Sequence, residues 1–223
     1  LRLITLKDAN GEGLAKAGYG IQFLILVTLS VLEQIQFIAQ QRKNRAVFEN
    51  PDNKERSISL VLGLDEPEIH LHPYMQRSLV KYLNGIISNN NKDFTELIKD
   101  MFNIDKFIGQ IIIVTHSPSI LLDNYKEIVR LFSEKNVLKT MSGSELMLER
   151  NIEKHIYLHF PFIKEAFFSR CAIFVEGDTE YASFPILGEK IYADFDDLGI
   201  GVIQARGESV PQLIQIANSF GIP

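Results

Sequence analysis

The stretch Ile58-Ser59-Leu60-Val61-Leu62-Gly63-Leu64-Asp65-Glu66-Pro67-Glu68-Ile69-His70-Leu71-His72-Pro73 decides how the chain is read. Its first seven residues form a short, nearly continuous apolar run, the pattern of a strand buried on both faces of a parallel sheet. Asp65 and Glu66 follow where the run ends, and in open α/β sheets ligands bind at the C-terminal edge of the strands. A second run, Gln110–Thr115 (QIIIVT), ends in His116-Ser117-Pro118. Any buried strand can end in an acidic loop, and a lone His at a strand end is more often a capping group. Together the two tips are more specific. An Asp can hold magnesium, a Glu can polarise a water, and a His on the neighbouring tip can reach a phosphate.

Outward from these tips the chain alternates. Residues Asp8 to Gly20 are glycine-rich, and a long apolar helix is expected from about Ile21 to Gln41. Gln22, Glu33, Gln34 and Gln36 interrupt it, so it reads as a buried helix and not a membrane span. Ala17-Gly18-Tyr19-Gly20-Ile21-Gln22 would open that helix, and glycines at a helix N-terminus offer backbone N–H groups to an anion; a simple capped helix is the plainer alternative. Gln41 to Arg56 reads as a loop around Asn50-Pro51-Asp52. Met75–Ile87 has helical spacing with Leu79, Leu83 and Ile86 on one side, Ser117–Asp123 starts a short helix, and Glu127–Phe132 is a third strand. Such alternation means α/β architecture. Glu145–Leu158 and Phe162–Phe168 read as helices with a domain boundary between them, dividing the chain into 1–158 and 159–223.

Beyond the boundary the expected order is strand Cys171–Val175, helix Thr179–Ile191, strand Gly201–Ala205 and helix Val210–Phe220. The first of these strands runs into Glu176-Gly177-Asp178-Thr179-Glu180. Two carboxylates four residues apart across a strand–helix turn can approach one divalent ion. Glu180 alone would equally suit the helix dipole. Asp194, Asp196 and Asp197 read as a solvated loop. Glu208 and Ser209 fall near the same sheet edge as Glu176.

The segments LDEPEIHLHP and IIIVTHSP resemble the Walker B, D-loop and switch histidine of ABC-type ATPases, in the form seen in OLD-family, RecF and SMC relatives. The resemblance implies that Asp65 and Glu66 serve magnesium and the hydrolytic water, that His116 is the switch residue, and that Glu68 to His72 lie at a dimer interface. Residues Gly18, Gly20 and Gln22 resemble the signature motif that contacts the partner subunit's nucleotide, although Ala17 stands where a serine is usual. IFVEGDTE resembles the first Toprim motif, which implies Glu176 as principal catalytic and metal-binding carboxylate and Glu180 as second metal ligand, with Asp178 at a variable position. The order of the two points to the OLD (overcoming lysogenization defect) family, Gabija-like systems among them. It implies the later part of an ABC-type ATPase domain followed by the first βαβα part of a Rossmann-like Toprim domain. The activity so implied is an ATP-regulated, Mg²⁺- or Mn²⁺-dependent DNA endonuclease in phage defence or DNA processing. Its expected partners are DNA, a second copy bound through the ATPase domain and a helicase-like protein.

Composition is compatible with this reading and excludes little. The net charge of −5 rules out a uniformly basic surface, yet carboxylate-rich metal enzymes bind DNA through local patches. The single Cys171 precludes a disulfide within the chain, and a cytoplasmic setting is expected. No G-x-x-x-x-G-K-[S/T] segment occurs, so the phosphate-cradling element is expected outside these residues. The Toprim Asp-x-Asp pair and later lysine are likewise expected beyond Pro223, which would leave this stretch alone inactive. Two alternatives carry different functions: a non-nucleolytic ABC-type ATPase of the RecF/SMC kind, and a degenerate scaffold.

Overall fold

The computed structural model describes residues 13, 16–40, 46–121, 124–147, 160, 163–205 and 210–223. By packing, the chain divides into two compact units, Leu1–Ile120 and Leu121–Pro223. The boundary expected at 158/159 falls inside the second of these.

In the first unit the described elements run α1 (Tyr19–Gln40), β1 (Val47–Glu49), β2 (Arg56–Asp65), α2 (Pro73–Ile87), α3 (Lys92–Phe102) and β3 (Lys106–Val114). The sheet order is β1-β2-β3, with β1 antiparallel to β2 and β2 parallel to β3. A parallel pair needs a crossover, and α2 and α3 supply it. Helix α2 begins on Pro73, whose missing N–H costs nothing at a helix start, and buries Leu79, Val80, Leu83 and Ile86 along one face. Helix α3 was not legible in its polar-looking sequence. The Asn91 side chain caps it by accepting from Phe94 N–H at 3.1 Å, and Asn103 closes it in the left-handed region at φ 54°. Phe94 and Ile98 of α3 then share a core with Val31, Ile35, Ile58, Ile86, Ile104 and Phe107. The crossover is tied to the start of β2, where Asp105 accepts from Arg56 N–H at 2.7 Å and pairs with Lys99. The Lys99 ammonium, followed by the Arg56 amide, holds the Asp105 carboxyl below the usual aspartate range.

Several expectations need correction here. Val47–Glu49 is a strand and not loop, because Val47 and Phe48 find partners in Ile58 and Ser57. Burial on both faces holds only near Ser57 and Ile58. Farther along, Val61, Ile108, Ile112 and Val114 are about half exposed, since no described element of this unit covers that face. Helix α1 is likewise less buried than expected. Only Val31 and Ile35 are enclosed, and its apolar residues Tyr19, Ile21, Leu26, Leu29 and Phe37 are exposed. By length and composition alone α1 is long and apolar enough to cross a bilayer. One face is packed instead, and the Thr28 hydroxyl lies 2.7 Å from that of Tyr82 on α2.

The second unit opens with a hairpin, β4 (Val129–Glu134) and β5 (Val137–Ser142). Lys135 and Asn136 between them have φ of 51° and 61°, the paired left-handed backbone of a two-residue hairpin turn. Then come β6 (Cys171–Val175), α4 (Asp178–Lys190), α5 (Phe195–Leu198), β7 (Ile200–Gln204) and α6 (Val210–Ser219), with β6 and β7 parallel. Tyr125 and Ile128, just before the hairpin, join Phe167, Ile203, Leu213, Ile216 and Phe220 in one core. This shared core is why the packing division falls near residue 120. Arg130 of β4 reinforces it. Its buried guanidinium donates to the carbonyls of Phe167, Ser169, Phe220 and Gly221 at 2.7–3.2 Å, and burial lowers its pKa.

Here too the structure differs from expectation. Residues 118–120 form a turn and not a helix start, and Leu122 and Asp123 lie outside the described residues. Of the helix expected at 145–158, residues 143–145 form a single 3-10 turn and 148–159 are outside the described residues; Lys164–Phe168 is also 3-10. Asp196 and Asp197 are helical and not loop, with Asp194 as their N-cap, and all three side chains are exposed as expected. The Asp194 carboxylate accepts from Asp196 and Asp197 N–H at 2.9 and 3.2 Å, nucleating the short α5. Glu208 and Ser209 lie outside the described residues.

Two positions test this account. A methyl group on Gly109 of β3 would sit 2.0 Å from the Leu60 carbonyl oxygen of β2. Backbone must move to admit it, so Gly109→Ala is expected to destabilise the first unit by roughly 2 kcal/mol or more, read as a lowered midpoint in urea. Arg130→Met keeps the stem but leaves four carbonyl groups without their donor. A loss of about 3 kcal/mol in the second unit is expected, with Arg130→Lys recovering only part, because an ammonium cannot reproduce the planar fork.

Candidate functional site

The parallel register Leu64↔Ile113 and Asp65↔Val114 puts the tips of β2 and β3 side by side. Glu66 N–H still donates to the Val114 carbonyl at 2.8 Å, but Glu66 itself takes φ 43°. A non-glycine residue in the left-handed region is strained by about 1 kcal/mol, and here the strain turns the chain sharply out of the sheet. The Glu66 carboxylate thereby meets His116 Nε2 at 3.4 Å, both side chains remaining substantially exposed at 44% and 77%. Asp65 is exposed beside them. The structure thus brings three expected residues, Asp65, Glu66 and His116, to one edge.

Glu68 Oε1 accepts from Thr115 Oγ1 at 2.8 Å and from His116 N–H at 2.7 Å, so this carboxylate engages the loop that carries His116. Gln76 went unread in the sequence. It donates to the Leu71 carbonyl at 2.9 Å and accepts from Ser117 Oγ at 2.5 Å. A polar residue at a buried position of an otherwise apolar helix face was the available signal. The His70 and His72 rings lie against Tyr19 and Tyr74 respectively.

At the start of α1, Gly18 has open space around its Cα, while a methyl on Gly20 would strike the Met75 side chain at 2.7 Å. The start of α1 thus lies against the flexible Met75 side chain at the start of α2. The Gln22 amide reaches back to the Ala17 carbonyl at 2.6 Å. The Tyr19–His70 ring contact, with centroids 6.3 Å apart, places this helix start beside the turn after Glu66.

In the second unit Val175 is buried at the tip of β6, and Glu176, Asp178 and Glu180 emerge exposed. Gly177 is the N-cap of α4. A methyl there would come within 2.8 Å of Glu180 Oε2, so Glu180 folds back over the backbone next to Glu176. Gln204, at the tip of β7, donates to Asp178 Oδ1 at 2.5 Å. This contact keeps Asp178 engaged with the neighbouring strand.

Among the described residues no three His, Cys, Asp or Glu side chains cluster as a metal cage. The donor sets nevertheless fit magnesium, which keeps several waters and takes one or two carboxylates plus phosphate oxygens. Asp65 with Glu66 offers one such pair, and Glu176 with Glu180 the other.

Residues 2–121, over half of the chain, match the model of the AAA ATPase domain family. The chain belongs to that family. Residues 167–223 match the model of the overcoming lysogenization defect protein-like TOPRIM domain. Among curated proteins it is similar to "Endonuclease GajA" of Bacillus cereus (strain HuB5-5), 27% identical over 150 residues that make up 58% of this chain and 20% of that protein. The chain spans about a fifth of that relative. An AAA ATPase domain followed by a Toprim segment, with an endonuclease relative, supports a nuclease family, and it bears out the α/β reading of both parts.

Exposed carboxylates without packing duties should be thermodynamically silent. Glu176→Ala and Glu180→Ala are expected to shift stability by less than about 0.5 kcal/mol. Thermal midpoints unchanged by calorimetry would separate a chemical role for these side chains from a structural one.

Proposed function

We propose that this chain forms part of an ATP-regulated, divalent-metal-dependent DNA endonuclease of the OLD family, acting in the cytoplasm in phage defence or DNA processing. The observation that carries the reading is the succession, on one chain, of the Asp65–Glu66–His116 edge and the Glu176-Gly177-x-x-Glu180 turn. In this proposal residues 1–158 belong to the ATPase domain and 159–223 to the Toprim domain. The hairpin β4–β5, which precedes that boundary in sequence, packs with the second unit.

At the first edge, Asp65 would hold magnesium and the Glu66 carboxylate would orient and deprotonate the attacking water. His116 would donate to the γ-phosphate, close enough to Glu66 for the two to respond to the same ligand. Gly18, Gly20 and Gln22 at the α1 start would face the nucleotide of a second copy, completing the site in a homodimer. At the second edge, Glu176 and Glu180 would hold Mg²⁺ or Mn²⁺, which when bound activates water and neutralises charge on a DNA phosphodiester. A helicase-like partner and the absence of membrane attachment complete the proposal.

The deciding assay is plasmid cleavage by the full-length protein with Mg²⁺ or Mn²⁺, with and without ATP. Glu176→Ala is expected to abolish cleavage. Glu66→Gln is expected to slow ATP turnover by roughly a hundredfold or more and to alter only the ATP dependence of cleavage. A wild-type protein that hydrolyses ATP but cuts no DNA under any metal or nucleotide condition would overturn the nuclease reading in favour of a RecF/SMC-type ATPase.

A further inference from the structure

His116 has a largely exposed ring, yet the loop that carries it is held by two side chains, Glu68 on the His116 amide and Gln76 on the Ser117 hydroxyl. Glu68, in the turn after the β2 tip, gathers the Thr115 hydroxyl and the His116 amide onto one oxygen, Oε1. Thr115 Oγ1 in turn accepts from Ser117 N–H at 3.0 Å. Gln76, in the first turn of α2, spans from the Leu71 carbonyl to the Ser117 hydroxyl, which itself accepts from Ser119 N–H at 3.2 Å. The side-chain hydrogen bonds just described thus link residues 115–119 to the segment between Glu66 and Gln76. The other Glu68 oxygen, Oε2, is buried without a hydrogen-bond partner among the described residues. An arrangement that leaves an acceptor oxygen buried and unsatisfied is unfavourable by about 1–3 kcal/mol, and it is retained where the geometry serves something else.

We propose that Glu68 and Gln76 are positioning residues that couple the turn following Glu66 to the loop bearing His116, so that displacement of residues 67–72 displaces the His116 ring. The proposal rests on the reading of His116 as a phosphate-facing residue. The linkage is short and branched. A shift of Glu68 acts directly on the His116 amide, and a shift of Leu71 acts through Gln76 on Ser117. Glu66 and His116 stand 3.4 Å apart, so a small rotation of the loop alters how both side chains would present to one phosphate. Misplacement on the order of 1 Å can slow a reaction about a hundredfold.

The test uses the full-length protein and two readouts. In the absence of nucleotide, Glu68→Ala and Gln76→Met are expected to speed amide hydrogen exchange across residues 115–119 by roughly tenfold, the factor that corresponds to loss of one such hydrogen bond. Gln76→Met is a near-isosteric change that keeps α2 apolar on its buried face, so it carries the test if Glu68→Ala does not fold. With ATP, both variants are expected to lower kcat by about tenfold to a hundredfold with KM little changed. Glu68→Gln keeps an oxygen that can accept from both Thr115 and His116 and should restore most of the rate. Adding Glu68→Ala to His116→Ala should cause no further loss of kcat. Unchanged exchange in folded variants, or losses that simply add in the double variant, would overturn the coupling. If His116→Ala alone leaves ATP turnover intact, the phosphate-facing reading of His116 falls and takes the proposal with it, whatever the exchange data show.

Discussion

Parallel pairing of β2 with β3 runs without interruption from Ser57↔Lys106 to Asp65↔Val114. A shift of one residue in that register would turn every side chain to the opposite face, burying the exposed faces and separating Glu66 from His116. What fixes the register is packing at the far end from the site. Ile58 and Phe107 enter the core with Phe94, Ile98 and Ile104, Asp105 fastens the crossover to Arg56, and Gly109 lets β3 approach the Leu60 carbonyl more closely than any other residue could. The chemistry sits at one end of the pair and its alignment is set at the other.

The second unit depends on a comparable constraint applied to backbone carbonyls. Arg130 holds the chain before β6 and the chain after α6 with a single guanidinium. A buried charge of this kind is stable only when its donors are satisfied, and here four carbonyls satisfy them. The Phe167–Phe220 edge contact at 4.8 Å lies in the same core. Residues that precede the Toprim match in sequence are thereby part of its packing.

The two candidate edges differ in their polar support. The Glu66–His116 edge is underpinned by hydrogen bonds, most of them part-buried, among Glu68, Thr115, His116, Gln76 and Ser117. The Glu176–Glu180 edge rests on the Gly177 turn and one Gln204–Asp178 contact.

By itself the sequence determined the strands that end in Asp65-Glu66, His116 and Glu176, because a buried strand must be apolar and a polar tip at its end stands out. It also determined most of the strand–helix order 171–220, where each expected element matched within a residue or two and only the short α5 was missed. Only the tertiary structure decided what depended on neighbours. Val47–Glu49 became a strand because β2 offered it an edge. Helix α3 emerged because Phe94 and Ile98 had a core to enter. The bonds from Thr115 and His116 to Glu68 were invisible for the same reason. A hydrogen bond to a residue 47 or 48 positions away leaves no periodic trace along the chain, and it forms only once the register of two distant strands has been fixed.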